Sequence, residues 1–325
     1  MKKTLLTLAL TAGVSAIAMG ASASEEACAV SITEMDWGSA IIVTNVAKFI
    51  MEQGYGCEVT AVPSATVTAT ASLVETGKPD IVTELWMNGA VGVEKLIEEG
   101  KVEEMAPVLA QGGVEGWWVP NYLVEANPEL ATIDGILANP ELVGATFHTC
   151  PEGWGCQISN ASYIKAFELE ANGIAPFDHG SGETLAASIK EAYDEEKPWF
   201  GYYWAPTSIL GKYPMTLVDM GVPADAEIHA CASDADCTDI AKNAWPASPV
   251  ATVVTTDFKE KHPDLYEFFG KYSFETEQMN ELLAWQEAEG ATPEEAAAHF
   301  LTTEQDTWMG WVNDDAKAKL SELLK

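Results

Sequence analysis

Between residues 30 and 86 the chain alternates short β-branched runs with amphipathic stretches, and this order restricts the fold more than any other feature. Residues 30–32, 58–63 and 80–86 read as strands. Residues 39–53, stopped by Gly54, and 65–76, followed by Gly77, carry apolar side chains at helical spacing. A β-α-β-α-β succession implies parallel strands joined by crossovers of one hand. Ligands of such sheets bind beyond the C-terminal ends of the strands. Trp37 closely follows the first strand and Trp86 ends the third, so both point toward that edge.

A second unit follows. It begins at residues 116–120 and has a strand at 143–147, helices at 159–171 and 184–195, and an aromatic strand at 199–204 halted by Ala205-Pro206. Residues 250–255 are β-branched and read as a return strand, and the chain from about His262 onward is almost wholly helical. Two α/β units and a chain that leaves the first and later returns describe an α/β protein of two lobes. Residues 24–115 with 253–325 form lobe I and 116–252 form lobe II. The expected crossings lie near residues 117–122 and 250–255, and a ligand cleft is expected between the lobes.

Charge excludes whole classes of partner. The 325 residues hold 50 carboxylates against 17 lysines, and no arginine, for a formal charge of −33. Such a polyanion repels nucleic acid and anionic membrane surfaces. Without arginine the usual bidentate clamp for carboxylate or phosphate is missing too. The 47% hydrophobic content is enough for real cores.

Residues 1–23 read as a cleaved secretory signal: Met1-Lys2-Lys3, an apolar run from Leu5 to Met19, and a small-x-small site at Ala21-Ser22-Ala23. Export makes the six cysteines readable as three disulfides. Cys150 with Cys156, and Cys231 with Cys237, are spaced to close small loops, while Cys28 and Cys57 precede two strands and could staple them.

Eleven tryptophans are many for this length. Trp245, Trp285, Trp308 and Trp311 read as packing. Trp37, Trp86, Trp154 and Trp204 instead sit at or just past strand ends, two in each expected lobe. Closing the cleft would bring the pairs face to face. Indole faces around one point attract a methylated cation, at about 0.5–2 kcal/mol each. Sugar-stacking is the alternative, but it needs more polar side chains than these loops carry.

At these residues the chain resembles a family. Residues 150–156 (Cys-Pro-Glu-Gly-Trp-Gly-Cys) look like the disulfide-closed loop of the glycine betaine and proline betaine binding proteins of ABC importers. Residues 195–206 resemble that family's aromatic strand, Glu84-Leu85-Trp86-Met87 its first-lobe tryptophan, and Asp36-Trp37 the opening motif of its choline-binding branch. The order agrees across the chain beyond its signal. The resemblance implies a type II periplasmic binding protein, monomeric, that hands a small ligand to a membrane permease and its ATPase. Trp86, Trp154 and Trp204 would wall the ligand, with Trp37 as a fourth wall and Trp117 and Phe147 as aromatic support. Two departures bear on the ligand. Ala90 stands where one branch carries a carboxylate-binding histidine, and Glu152 lies two residues before Trp154, where betaine binders are uncharged. A Glu152 facing the cleft would favour a polar end that donates, such as choline's hydroxyl or a protonated N-oxide. The trimethylamine N-oxide branch fits best, ahead of glycine betaine or choline. Glu84 and Glu115 are reserve candidates for that contact.

Asp234, Asp236 and Asp239 crowd the Cys231–Cys237 loop and resemble the calcium-stabilised loop of the same branch, so a structural calcium ion is an expectation. No catalytic motif occurs. His179 near Ser181 is the one suggestive pair, which leaves a secreted hydrolase as a distant alternative.

Overall fold

The computed structural model of the protein describes residues 28–325. The signal reading of 1–23 lies outside them. Ten strands build two five-stranded sheets. The strands are β1 (Ala29–Met35), β2 (Glu58–Ser64), β3 (Ile81–Trp86), β4 (Val102–Pro107), β5 (Val114–Pro120), β6 (Thr146–Thr149), β7 (Ala175–Asp178), β8 (Gly201–Ala205), β9 (Met215–Leu217) and β10 (Val250–Thr255). The first sheet has the order β2-β1-β3-β10-β4 and the second β7-β6-β8-β5-β9. In each, a central strand has a parallel partner on both sides. β1 lies between β2 and β3, and β6 lies between β7 and β8. The remaining pairings, of β10 and of β5, are antiparallel.

The expected parallel core of the first lobe is therefore present, and it is apolar because both faces are covered. Ile81, Val82 and Leu85 of β3 are buried, as is all of β10. The helix Gly38–Phe49 buries Ile42, Val43, Val46 and Ala47. The helix Thr66–Thr76 ends at Gly77, which takes the left-handed φ of +67° that favours glycine. Helices Pro263–Phe269, Thr276–Glu289, Pro293–Thr303 and Asp314–Leu323 complete this lobe, and Tyr272 anchors them by donating its hydroxyl to the Val43 carbonyl at 2.6 Å. No helix among the described residues is long and apolar enough to cross a membrane.

The chain changes sheet a little earlier than the strand patterns suggest. Val114 and Glu115 already belong to β5 in the second sheet, and residues 250–252 already belong to β10 in the first. The two crossing segments meet as a short antiparallel bridge, in which Gly113 N–H donates to Ser248 at 2.8 Å and Ser248 N–H donates back at 3.2 Å. Gly112, at φ +69°, makes the bend that precedes it.

All three expected disulfides form: Cys28–Cys57, Cys150–Cys156 and Cys231–Cys237. The first joins the starts of the neighbouring strands β1 and β2, where Glu58 N–H also donates to the Cys28 carbonyl at 2.7 Å. The second closes the loop that carries Trp154.

Candidate functional site

Four strand ends converge on one cavity. Trp37 follows β1, Trp86 ends β3, Trp154 follows β6 and Trp204 lies near the end of β8. These are the central strands of the two sheets, so the tryptophans come to the ligand edge from both lobes. The lining of the cavity also includes Thr66, Gly89, Glu115, Gly155 and Tyr202. The four indoles are only 4–9% exposed, so the lobes are closed over the space.

The rings meet edge to face. Trp154 stands at 68° to Trp37 across the cleft, centroids 5.4 Å apart, and at 83° to Trp204, 5.0 Å apart. The aromatic quadrupole favours this arrangement over a sandwich. It leaves the walls at steep angles to one another.

Glycines make room for the rings. A Cβ at Gly113 would overlap the Trp86 ring, and one at Gly182 would stand 2.7 Å from the Trp154 ring. Gly182 opens the helix Gly182–Glu195, so that helix start forms the seat of Trp154.

Three acids separate by environment. Glu115 is 7% exposed, lines the cavity, and accepts the Tyr202 hydroxyl at 2.8 Å. Burial raises its pKa above the usual carboxylate range, against the lowering effect of that hydrogen bond. Glu84 is fully buried behind the wall: its Oε1 accepts Trp37 Nε1–H and Ser39 Oγ–H, both at 2.6 Å. Burial pushes its pKa up to about 7, and its Oε2 is buried with no partner. Glu84 reaches this position through the backbone. Its φ is +47°, and the register of β10 slips between Ala251 and Val253, so Thr83 and Glu84 together face Thr252. A bulge of this kind re-aims a side chain out of the strand's alternation.

Glu152 is a correction. It is exposed and absent from the cavity lining. The tight disulfide loop turns Trp154 inward, and Gly153, at φ +88°, reverses the chain between them. The acid that faces the cavity is the reserve candidate Glu115. Glu84 does not line it and instead holds Trp37. Trp117 and Phe147 also stand away from it. Their rings are 4.7 Å apart in the second lobe's core beside Phe167 and Phe200, and Trp117 Nε1–H donates to Asn160 at 2.7 Å.

The remaining candidates lie outside the cavity lining. Asp234, Asp236 and Asp239 are exposed, and among the described residues no three His, Cys, Asp or Glu side chains are grouped to hold a metal. Asp234 Oδ1 is turned to its own loop, accepting Asp236 N–H at 2.9 Å. Ser181 Oγ caps a helix by accepting Thr184 N–H, and His179 pairs with His148 at 2.7 Å, so no serine–histidine dyad exists there. Trp308 and Trp311 are buried packing, Trp285 stacks on His299, and Trp245 lies behind Tyr202.

Tyr202 and the glycines were not singled out from sequence. Tyr202 had a signal, since strand alternation puts it on the same face as Trp204. Asp36 entered only as part of the motif with Trp37; its bond to Trp154 had no sequence signal, because the partners are 118 residues apart.

The sequence matches, over residues 29–303, the family described as the substrate binding domain of ABC-type glycine betaine transport systems. Three solved structures share the fold at low identity. A glycine betaine/L-proline-binding protein from Borrelia burgdorferi is 18% identical, covering 90% of this chain and 99% of that one, with a TM-score of 0.73. An ABC-transporter choline binding protein in complex with choline is 17% identical, covering 91% and 98%, with a TM-score of 0.74. The lactococcal OpuAC protein, closed on glycine betaine, is 20% identical, covering 88% and 100%, with a TM-score of 0.67.

Proposed function

This chain belongs to the family of substrate-binding domains of ABC-type glycine betaine transport systems, and from that membership we propose that it captures a small methylated amine, trimethylamine N-oxide first among the class. Proteins of this family bind and deliver; they are not enzymes. The ligand is held between the four indoles, in the periplasm, and passed to an inner-membrane permease driven by its ATPase. Indole faces take the methylated nitrogen, and no partner is needed there because it has no N–H.

The observation that carries the choice of ligand is Glu115. Among the described residues lining the cavity it is the only ionisable carboxyl, and none of them carries a positive charge. A betaine carboxylate would meet a like-charged or proton-bearing acid and no cation. Both molecules are neutral overall, but an N-oxide oxygen is a strong acceptor that takes a proton more readily than a betaine carboxylate. Glu115 with its raised pKa can donate a proton toward it, while Tyr202 holds the other side of the carboxyl. Choline would use Glu115 the opposite way, donating its hydroxyl to the ionised form.

Glycine betaine is the second reading. Gly155 and Cys156 line the cavity at the start of the helix Gly155–Ala166, and a helix N-terminus can take a carboxylate.

Calorimetric titration with trimethylamine N-oxide, choline and glycine betaine, in buffers of different ionisation enthalpy, separates these. The N-oxide should bind tightest, take up a proton, and weaken as pH rises. Tightest binding by betaine would favour the helix-start reading. Silence from all three would end the methylated-amine proposal.

A further inference from the structure

Gly89 and Gly155 touch backbone to backbone across the cleft. Gly89 lies three residues past Trp86 in the first lobe, and Gly155 directly follows Trp154 in the second. A Cβ on Gly89 would stand 2.9 Å from Gly155 Cα, and one on Gly155 would stand 2.8 Å from Gly89 Cα and 2.9 Å from its oxygen. These neighbours are main chain, so no side-chain rotation relieves the overlap. Neither glycine has a positive φ. Each lobe by itself would therefore accept alanine at these positions. What the pair supplies is close approach, not conformational freedom.

We propose that the Gly89–Gly155 contact sets how far the lobes close, and thereby how large a ligand the cavity admits. Both residues line the cavity, so a methyl group inserted between them parts its walls. Ordinary Cβ contacts begin near 3.4 Å, so the lobes must separate by several tenths of an ångström. Two directional bonds flank the contact and exist only when the lobes meet: Val67 N–H to the Gly153 carbonyl at 3.1 Å, and Trp154 Nε1–H to Asp36 Oδ1 at 2.7 Å. Separation stretches both while loosening the aromatic walls. The size-selection part of the proposal rests on the methylated-amine reading; the closure part does not.

Val67 is the reporter that keeps the two parts apart. It lies in the first turn of the helix Thr66–Thr76, where amides have no acceptor within the helix, so its protection from hydrogen exchange comes from Gly153 across the cleft. Exchange at Val67 would be measured in wild type, Gly89→Ala, Gly155→Ala and the double variant, without ligand and with each of trimethylamine N-oxide, choline and glycine betaine. Gly211→Ala is the control, since a Cβ there meets nothing within 4 Å. Thermal unfolding verifies that each variant folds.

The alanine variants should exchange Val67 at least tenfold faster and bind the N-oxide at least tenfold more weakly. Choline, the longer ligand, should lose less. Unchanged Val67 exchange in both single variants, or a Val67 unprotected in wild type under every condition, would overturn the closure role. Affinities and ligand preference within twofold of wild type would overturn size selection. A wild type that ignores the N-oxide while Val67 still responds to the alanines would remove the ligand assignment and leave the closure role standing.

Discussion

The indole N–H of Trp154 donates to Asp36 Oδ1 at 2.7 Å, joining the second lobe's tryptophan to the residue that precedes the first lobe's Trp37. One hydrogen bond thus orients a cavity wall and ties the lobes together. Asp36→Ala removes it only from the closed form, because the partners lie on different lobes. Hydrogen bonds to charged groups contribute about 1.5–3 kcal/mol. The variant should bind roughly tenfold or more weakly with an unchanged unfolding temperature in the absence of ligand. Calorimetry and thermal melts check this, and a large fall in the ligand-free melt would mean that Asp36 acts on folding instead.

Tryptophans of the cavity and of the core should respond differently to truncation. Trp154→Ala and Trp204→Ala should each weaken binding at least tenfold while the protein remains folded. Trp117→Ala should destabilise by about 3–5 kcal/mol, since Trp117 is fully buried and leaves both a void and an unpaired Asn160. Near-normal affinity in the first two variants would remove the aromatic-wall account.

Glu115 and Glu152 provide a paired test. Glu115→Ala should cost the N-oxide at least tenfold in affinity. Glu115→Gln, which keeps a donor, should retain much of the binding but lose its pH dependence. Glu152→Ala should leave affinity within twofold, because Glu152 faces solvent. Loss of binding in Glu152→Ala with none in Glu115→Ala would reverse the assignment.

Glu84 should make stability depend on pH. Its pKa rises from the ordinary 4.5 to about 7 in the folded protein. The folded state therefore holds its proton more tightly than the unfolded state. The associated stabilisation is complete below pH 4.5 and is lost as pH rises through about 7. Glu84→Gln removes this contribution, so the difference in melting temperature between wild type and variant should change across that window and level off above it. A constant difference from pH 4.5 to 8 would show that Glu84 does not titrate there.

Much of this molecule follows from local pattern. The parallel strands of the first lobe, the return strand at residues 250–255, the helical C-terminal section and the three disulfides were legible because each depends on periodicity or short spacing. So were the four cavity tryptophans, since a residue at the end of a parallel strand is committed to the ligand edge whatever its neighbours are. The exchange of roles between Glu152 and Glu115 was not legible. A loop residue's direction depends on one reversed φ at Gly153, and Glu115 reaches the cavity through the pairing of β5 with β8, which sets it opposite Trp204.

Sequence alone thus determined which tryptophans stand at the strand ends, because strand order and strand ends are short-range properties. Tertiary structure alone decided which of them act together. The Asp36–Trp154 bond, the Gly89–Gly155 contact and the burial of Glu84 by a bulge each join segments tens of residues apart. Such contacts are set by close packing between elements, and no periodicity in either segment records them.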